Sequence, residues 1–322
     1  MPKQEGFCTL LTLPFFSELE KSNNILLAGA GGGFDIFCGL PLYFALKNAG
    51  KQVHLANMSF SGLENSTGHK LHKALVEITS ETQGSLEYFP ELHLARWFAA
   101  HGENVPIYCF THTGAKPIFE AYQMLVKMLN VDTVILVDGG SDSLMRGDEI
   151  TLSTPNEEAA SIAAVDQLAV PYKYLACFGF GIDDVCHAHF LEAVAAITKA
   201  GGFLGAWTLT KEMPEVQLYR EATEAVFEAM PESPSVISAS ILSAIDGQFG
   251  DYHATYRTMG SKLFINSLMT LYWCFTVEQV ARRNLYLDKI RDTETYRDLA
   301  TAIKQFHASQ KDNLRPWVNL PT

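Results

Sequence analysis

The chain has 322 residues, of which 48% are apolar and 19% are charged. This apolar content is enough to build a hydrophobic core, so the composition excludes a chain that is disordered throughout. The formal net charge of −12 opposes binding to nucleic acid or to anionic membranes, although a local pocket can still hold a small anion. We therefore expect a small anionic molecule as the partner, with no nucleic-acid and no membrane partner, and leave a homo-oligomer open.

The cysteines and the apolar runs indicate the compartment. The six cysteines form no C-x-x-C pair and no disulfide-dense stretch, which is typical of a reduced compartment. The apolar runs are too short to span a bilayer, and the run at residues 7–16 is flanked by acidic residues without a cleavage pattern. The sequence therefore predicts a cytoplasmic protein with neither a signal peptide nor a transmembrane helix.

Short β-rich runs alternate with helical patterns along the first two thirds of the chain, which is typical of a mostly parallel sheet covered by helices. The expected strands cover residues 24–28, 53–57, 105–111, 133–138, 172–178 and 203–209, and residues 235–240 are a candidate for a seventh. After about residue 211 the pattern becomes mainly helical. We predict a Rossmann-like α/β core over residues 1–210, an open sheet with helices on both faces. A mainly helical part over residues 211–322 packs on this core, as a second unit or as part of one continuous domain.

Capping signals in the sequence predict where three of the helices start. Residues 154–157 have the capping-box spacing, with a proline at the first helical position. Asp183 or Asp184 can cap a helix that runs to Lys199. A last helix starts at residue 292 or 293 and places Leu299, Ile303 and Phe306 on one face.

A glycine-rich loop follows the first expected strand, at the sheet edge where parallel α/β folds bind ligands. Gly29, Gly31, Gly32, Gly33 and Asp35 are candidate cofactor-binding residues, because glycines let backbone amides approach an anion at a helix N-terminus. The third position of the dinucleotide fingerprint is Phe34 and the second strand ends without an acidic residue, both of which weigh against NAD. No G-K-[ST] follows, so a P-loop is excluded. A tight turn without a ligand remains the alternative.

A long loop carrying four acidic residues follows the fourth expected strand. Asp138 and Asp142 are candidate catalytic residues and metal ligands, because carboxylates after a strand can hold Mg²⁺ or act as a general base. Arg146 is a candidate for binding a phosphate or carboxylate. The alternative is a solvated loop stabilised by Asx-turns.

Asp183 and His187 follow the fifth expected strand. Asp183 is a third candidate catalytic and metal-binding carboxylate, unless it caps the helix. Helical spacing places His187 on the inward face with Phe190, and His189 on a solvated face. His187 is therefore a candidate acid or base, with a hydrogen-bonded core histidine as the alternative.

Several of these segments resemble the family known as domain of unknown function 1152. The matching segments are Gly29–Asp35, residues 88–91 followed by 95–97, Val105–Phe110 with Gly114, Asp138–Glu149 and Gly179–Asp184. The resemblance implies a shared polar site but supplies no reaction.

Together these features predict an enzyme that acts on a small phosphorylated or nucleotide-like substrate by metal-assisted hydrolysis or group transfer, because carboxylates converge without a redox-cofactor motif. A divalent metal such as Mg²⁺ is the expected cofactor. A dinucleotide- or S-adenosylmethionine-type cofactor enzyme and a non-catalytic small-ligand sensor are the alternatives.

Overall fold

The computed structural model describes residues 12–320. Its strands are β1 Asn24–Gly29, β2 Gln52–Met58, β3 His69–His72, β4 Leu75–Ile78, β5 Ile107–Phe110, β6 Thr133–Asp138, β7 Tyr172–Phe178, β8 Phe203–Thr208, β9 Gly250–Asp251, β10 Phe264–Ile265 and β11 Leu271–Thr276. Its α-helices are α1 Pro14–Glu20, α2 Asp35–Cys38, α3 Leu40–Asn48, α4 Pro90–Ala100, α5 Ala115–Leu129, α6 Asn156–Asp166, α7 His187–Lys199, α8 Pro214–Ala229, α9 Val236–Ile245, α10 Val277–Arg283, α11 Leu287–Ile290 and α12 Tyr296–Ser309.

A nine-stranded sheet forms the centre of the molecule, in the order β3-β4-β5-β2-β1-β6-β7-β11-β8. The five strands from β5 to β7 are parallel, and their order is that of a Rossmann-like half, in which the chain first builds to one side of β1 and then to the other. The predicted α/β class with a mostly parallel sheet is confirmed. The order in which the chain adds strands reverses between β1 and β6, and this reversal leaves a crevice at the carboxyl ends of these two parallel strands.

Helices cover both faces of the sheet, as predicted. One core contains α5, α6, α7 and α12, which pack through residues such as Ile118 and Leu299. The core on the opposite face contains α1, α3, α4, α8 and α9, with Phe15 and Tyr219 fully buried. The central strands are apolar on both sides because each face is covered. No α-helix of the described residues is long and apolar enough to cross a membrane.

The six expected strands are confirmed within a few residues, whereas the seventh is wrong. Residues 236–245 form the helix α9, whose start is capped by the Ser235 side chain accepting from the Ser238 amide. A strand that was not predicted, β11, lies between β7 and β8 and is antiparallel to both. The part of the chain after residue 211 therefore supplies one strand of the central sheet as well as helices.

All three predicted helix starts differ from the structure. Helix α12 begins at Tyr296, not at residue 292 or 293, and Thr295 forms its capping box with Asp298. Helix α6 begins at Asn156 without a side-chain cap, and the Thr154 amide donates to the Asp142 carboxylate instead, at 3.2 Å. Helix α7 begins at His187 after Cys186, so Asp183 does not cap it. Asp142 and Asp183 are thereby held near the ends of β6 and β7.

Candidate functional site

A cavity of about 340 Å³ opens at the carboxyl ends of β1, β6 and β7, at the crevice created by the strand order. Six acidic side chains, two aromatic rings and three glycines contribute to its wall. The lining residues are Gly31, Gly32, Asp35, Phe60, Asp138, Gly139, Asp142, Thr154, Asn156, Glu157, Glu158, Asp183, Ile237 and Tyr296. None of the described residues that line this cavity, which we call the acid cavity, is a lysine or an arginine.

Three carboxylates converge in the acid cavity from three separate elements. Asp35 begins α2, Asp138 ends β6 and Glu158 lies in the first turn of α6. One carboxylate oxygen of each lies within 4.8 Å of one oxygen of each of the others, and all three side chains are buried. Oxygens converging at this distance match the hard ligands that Mg²⁺ and Mn²⁺ prefer.

Of these three carboxylates, only that of Glu158 has a buried oxygen without a hydrogen-bond partner among the described residues. This oxygen is Oε2. A buried carboxylate oxygen without a partner is costly, because it has lost its hydration without compensation. A cation between Glu158, Asp35 and Asp138 would remove that cost.

The remaining carboxylates are held in fixed orientations by hydrogen bonds. The Asp138 carboxylate accepts from the Ser143 hydroxyl, and Asp183 accepts from the Ser141 amide. Asp142 accepts from the Thr154 amide. These bonds occupy some of the oxygens and leave others facing the cavity, as in metal sites whose ligands are oriented by a second set of groups.

Burial raises the pKa of every one of these carboxyl groups. It raises the pKa of Asp35 to about 8 and that of Asp142 to about 6, with smaller contributions from neighbouring charges. Burial first, and then the charge of Asp142, raises the pKa of Asp138, Glu158 and Asp183 as well. Without a cation the cluster therefore retains protons at neutral pH.

The glycine-rich loop was expected to hold an anion through its backbone amides, but three of these amides donate to groups of the protein itself. The Gly31 amide donates to Asp35 Oδ2 at 2.6 Å, and the Ala30 and Gly33 amides donate to backbone carbonyls. Gly29 is packed against the Asn57 side chain, where a Cβ would overlap Asn57 Oδ1. Gly31 and Gly32 line the acid cavity, but the loop encloses carboxylates and does not present an open anion cradle.

Arg146 lies outside the acid cavity. Its Nε is 3.5 Å from Asp148 Oδ1, within an ion-pair network that includes Glu149 and Arg315. Asp148 and Glu149 are thus engaged by Arg315 near the C-terminus. The predicted role of Arg146 in holding an anion has no support from this arrangement.

His187 also lies apart from the lining residues. Its ring packs against Phe180, with 4.8 Å between ring centroids, and burial lowers the pKa of His187 without a contribution from any acidic group. The buried face of α7 carries His189, Phe190, Ala193 and Ile197, so it shares Phe190 with the expected face but does not include His187. His189 is buried with only 2% of its surface exposed, in contrast to the expectation that it is solvated.

Sequence reasoning missed several residues that line the acid cavity or contact its wall. The sequence indicates Glu157 only as part of a helix start, and it predicts no site role for Glu158 or His112. His112 Nε2 is 2.6 Å from Glu157 Oε1, and its ring lies 3.6 Å from that of Tyr296. The position of Glu158, in the helix that follows the acidic loop, was a signal that would have placed it at the same sheet edge.

The chain is similar to a known protein family. Residues 58–309 match the family described as protein of unknown function (DUF1152). The chain belongs to this family. The predicted resemblance is confirmed, and the matched range includes Asp138, Glu158 and Asp183 but begins after the glycine-rich loop. No curated protein and no solved structure matches the chain.

Proposed function

We propose that this protein is a metal-dependent enzyme that hydrolyses or transfers a phosphate group of a small phosphorylated or nucleotide-like substrate. The observation that carries the proposal is the convergence of Asp35, Asp138 and Glu158, together with the unpartnered Glu158 Oε2. A divalent cation held by these three residues would bind a phosphoryl oxygen and stabilise the charge that develops on it.

The charge of the acid cavity supports a cation as the link to an anionic substrate. Six carboxyl groups without a lysine or arginine in the wall would repel a free phosphate. Asp35, Asp138 and Glu158 would lose their protons on holding a divalent cation, which would supply the positive charge that attracts a phosphate, as Mg²⁺ does in phosphoryl-transfer enzymes.

Asp142 is the candidate general base in this proposal. Its pKa of about 6 lies close to neutral pH, and it lines the acid cavity outside the three converging carboxylates. In hydrolysis, the water oxygen forms a bond to phosphorus, its proton passes to Asp142, and the bond from phosphorus to the departing oxygen breaks. In transfer, an acceptor hydroxyl takes the place of water.

The two alternative functions, a cofactor-dependent enzyme and a non-catalytic sensor, would use the same acid cavity. A dinucleotide- or S-adenosylmethionine-type cofactor is less favoured, because the amides of Ala30, Gly31 and Gly33 are bonded within the protein. A sensor that binds a metal-chelated ligand without turnover uses the same carboxylates. Turnover distinguishes it from the enzyme.

The test begins with calorimetric titration of Mn²⁺ and Mg²⁺ into protein stripped with EDTA at pH 7.5. We expect the wild type to bind Mn²⁺, Asp138→Asn and Glu158→Gln to lose at least tenfold in affinity, and the control Asp184→Asn to be unchanged, because Asp184 is exposed. Absence of Mn²⁺ binding by the wild type, or unchanged binding by both cavity variants, would overturn the proposed metal site.

Phosphate release is then measured with p-nitrophenyl phosphate, inorganic pyrophosphate and the common nucleotides, with Mg²⁺ or with EDTA. Release that needs Mg²⁺ and is lost in Asp138→Asn and Asp142→Asn supports the enzyme. Tight nucleotide binding without release supports the sensor instead.

A further inference from the structure

A second cavity of about 270 Å³ adjoins the acid cavity and has no role in the proposed phosphate chemistry. It is lined by Ser59, Phe60, Ser61, Leu63, Glu64, Thr111 and His112. The two cavities are joined in two ways. Phe60 lines both, and His112 of the second cavity contacts Glu157 of the first. A single ligand can therefore extend from one to the other.

Phe60 is an exposed aromatic ring held in a fixed place. It is 48% exposed, although phenylalanine normally loses most of its surface in a fold. The ring rests on the glycine-rich loop, where a Cβ on Gly32 would lie 2.9 Å from Phe60 Cζ and one on Gly33 would lie 3.3 Å from Cδ2. One side of the ring is thus supported by backbone while a large part of it remains available to a ligand.

His112 forms the neighbouring wall and is also fixed. Its Nε2 is bonded to Glu157 at 2.6 Å, and Tyr296 packs on its ring with 3.6 Å between centroids. The rings of His112 and Phe60 meet at 80°, with 5.5 Å between centroids. Together they form an aromatic corner, which is preorganised because its rings do not need to be ordered on binding.

We propose that this second cavity binds the planar heterocyclic base of a nucleotide, which stacks on Phe60 while the phosphate is held in the acid cavity. This inference rests on the proposed function and narrows its substrate class from phosphorylated small molecules to nucleotides. The two cavities together have the size of a typical small-molecule site. The Thr111 hydroxyl and the Glu64 carboxylate supply polar groups for the edge of the base.

The test compares ligands that share a phosphate and differ in the base. AMP, GMP, CMP and UMP are titrated into the wild type beside ribose 5-phosphate, in Mn²⁺ and again in EDTA. We expect at least one nucleotide to bind about 5- to 150-fold more tightly than ribose 5-phosphate, the range for stacking of one base on an aromatic side chain. Phe60→Ala should reduce this preference to within about twofold, and Phe60→Leu should reduce it partly.

Two controls separate this inference from the proposed metal site. Phe249→Ala removes an aromatic ring that is 75% exposed and lines neither cavity, and it should leave the base preference intact. Mn²⁺ binding without nucleotide should be equal in the wild type and Phe60→Ala. If Mn²⁺ binds but no nucleotide is preferred over ribose 5-phosphate, or if Phe60→Ala retains the preference, the base site is refuted while the metal site stands. If Mn²⁺ fails to bind, titration of the uncharged nucleosides in EDTA still decides the base site, because they carry no phosphate for the carboxylates to repel.

Discussion

Gly31 and Glu158 occupy the same corner of the acid cavity, so closely that a Cβ on Gly31 would overlap Glu158 Oε1. The same Cβ would stand 2.8 Å from Asp35 Oδ2. Gly140 lies equally close to Asp183, because a Cβ on Gly140 would overlap Asp183 Oδ2. Glycine at these positions makes room for carboxylates, which is a different use from the backbone cradle for phosphate that glycine-rich loops often form.

Gly31→Ala should weaken Mn²⁺ binding about tenfold or more, because the methyl group displaces Glu158 and Asp35 from their positions. The backbone at Gly31 does not have a positive φ, so alanine can adopt the same backbone conformation and the fold should persist once the two side chains have moved. Calorimetric titration measures the affinity, and circular dichroism checks the fold.

Gly62→Ala is the matched control, since a Cβ at Gly62 would find its first neighbour only at 3.7 Å. This variant should bind Mn²⁺ as the wild type does. Equal affinity in Gly31→Ala and Gly62→Ala would show that Glu158 is not a ligand.

The pKa shifts predict an unusual pH dependence for the metal-free protein. The pKa of Asp35 rises from 3.8 to about 8 and that of Asp142 to about 6, so the folded state binds more protons than the unfolded state across this interval. Stability should therefore be greatest in mild acid and fall as the pH rises from about 4 to about 8. Thermal unfolding in EDTA at several pH values measures this slope, and a stability that rises towards pH 8 would contradict it.

Asp138→Asn tests whether repulsion among the carboxyl groups causes the fall in stability of the metal-free protein as the pH rises. The amide resembles the protonated acid, so at pH 8 in EDTA it should raise Tm by about 2–8 °C, and at pH 5 it should change little. Adding Mg²⁺ at pH 8 should raise the Tm of the wild type and have little effect on the variant. A variant less stable than the wild type at pH 8 in EDTA would show that Asp138 is not repelled there.

The parallel core of the fold was predictable because its sequence signals are local. Each of β1, β2, β5, β6 and β7 is a short apolar run flanked by turns or helices. Strand β11 could not be placed in the same way. Its run of apolar residues near position 271 fits a helix or a strand, and its pairing with β7 is fixed by contacts between residues about 100 positions apart.

The acid cavity was predictable in part for the same reason. Asp138, Asp142 and Asp183 follow strands, and the rule that parallel strands end at one edge brings them together. Glu158 was missed because it lies within a helix, where acidic residues in the first turn are usual and need no ligand. His187 was misplaced because the apolar spacing counted Leu191 among the buried residues, whereas the buried face of the helix carries His189, Phe190, Ala193 and Ile197.

Arg315 should matter for stability rather than for catalysis. Its guanidinium group contacts Asp148 at 2.9 Å, Glu192, and Glu149, whose side chain is fully buried. Arg315→Ala leaves the buried Glu149 carboxylate without Arg315 and with only the Arg146 and Gly147 amides as donors, so the free energy of unfolding should fall by about 2–4 kcal/mol. Chemical denaturation measures the change, with Arg315→Lys intermediate because lysine cannot reach three carboxylates at once.

Arg282→Ala is the matched control for this prediction. Arg282 pairs with Glu278 on an exposed helix surface, with 66% and 56% of their side chains accessible. Such a pair contributes less than about 1 kcal/mol. If Arg315→Ala and Arg282→Ala lower the free energy of unfolding equally, the ion pair with the buried Glu149 carboxylate does not stabilise the fold more than an exposed ion pair does.

His187→Asn should leave the metal site intact. Its ring packs on Phe180 and beside Gly181, where a Cβ would lie 3.2 Å from Nε2, and no acidic group shifts its pKa. We expect Mn²⁺ affinity within about twofold of the wild type and a loss of stability of about 1 kcal/mol from the missing aromatic contact. Titration and denaturation of the same preparation measure both quantities. A tenfold loss of Mn²⁺ affinity with unchanged stability would instead make His187 a functional residue of the acid cavity, because a packing role alone cannot produce that combination.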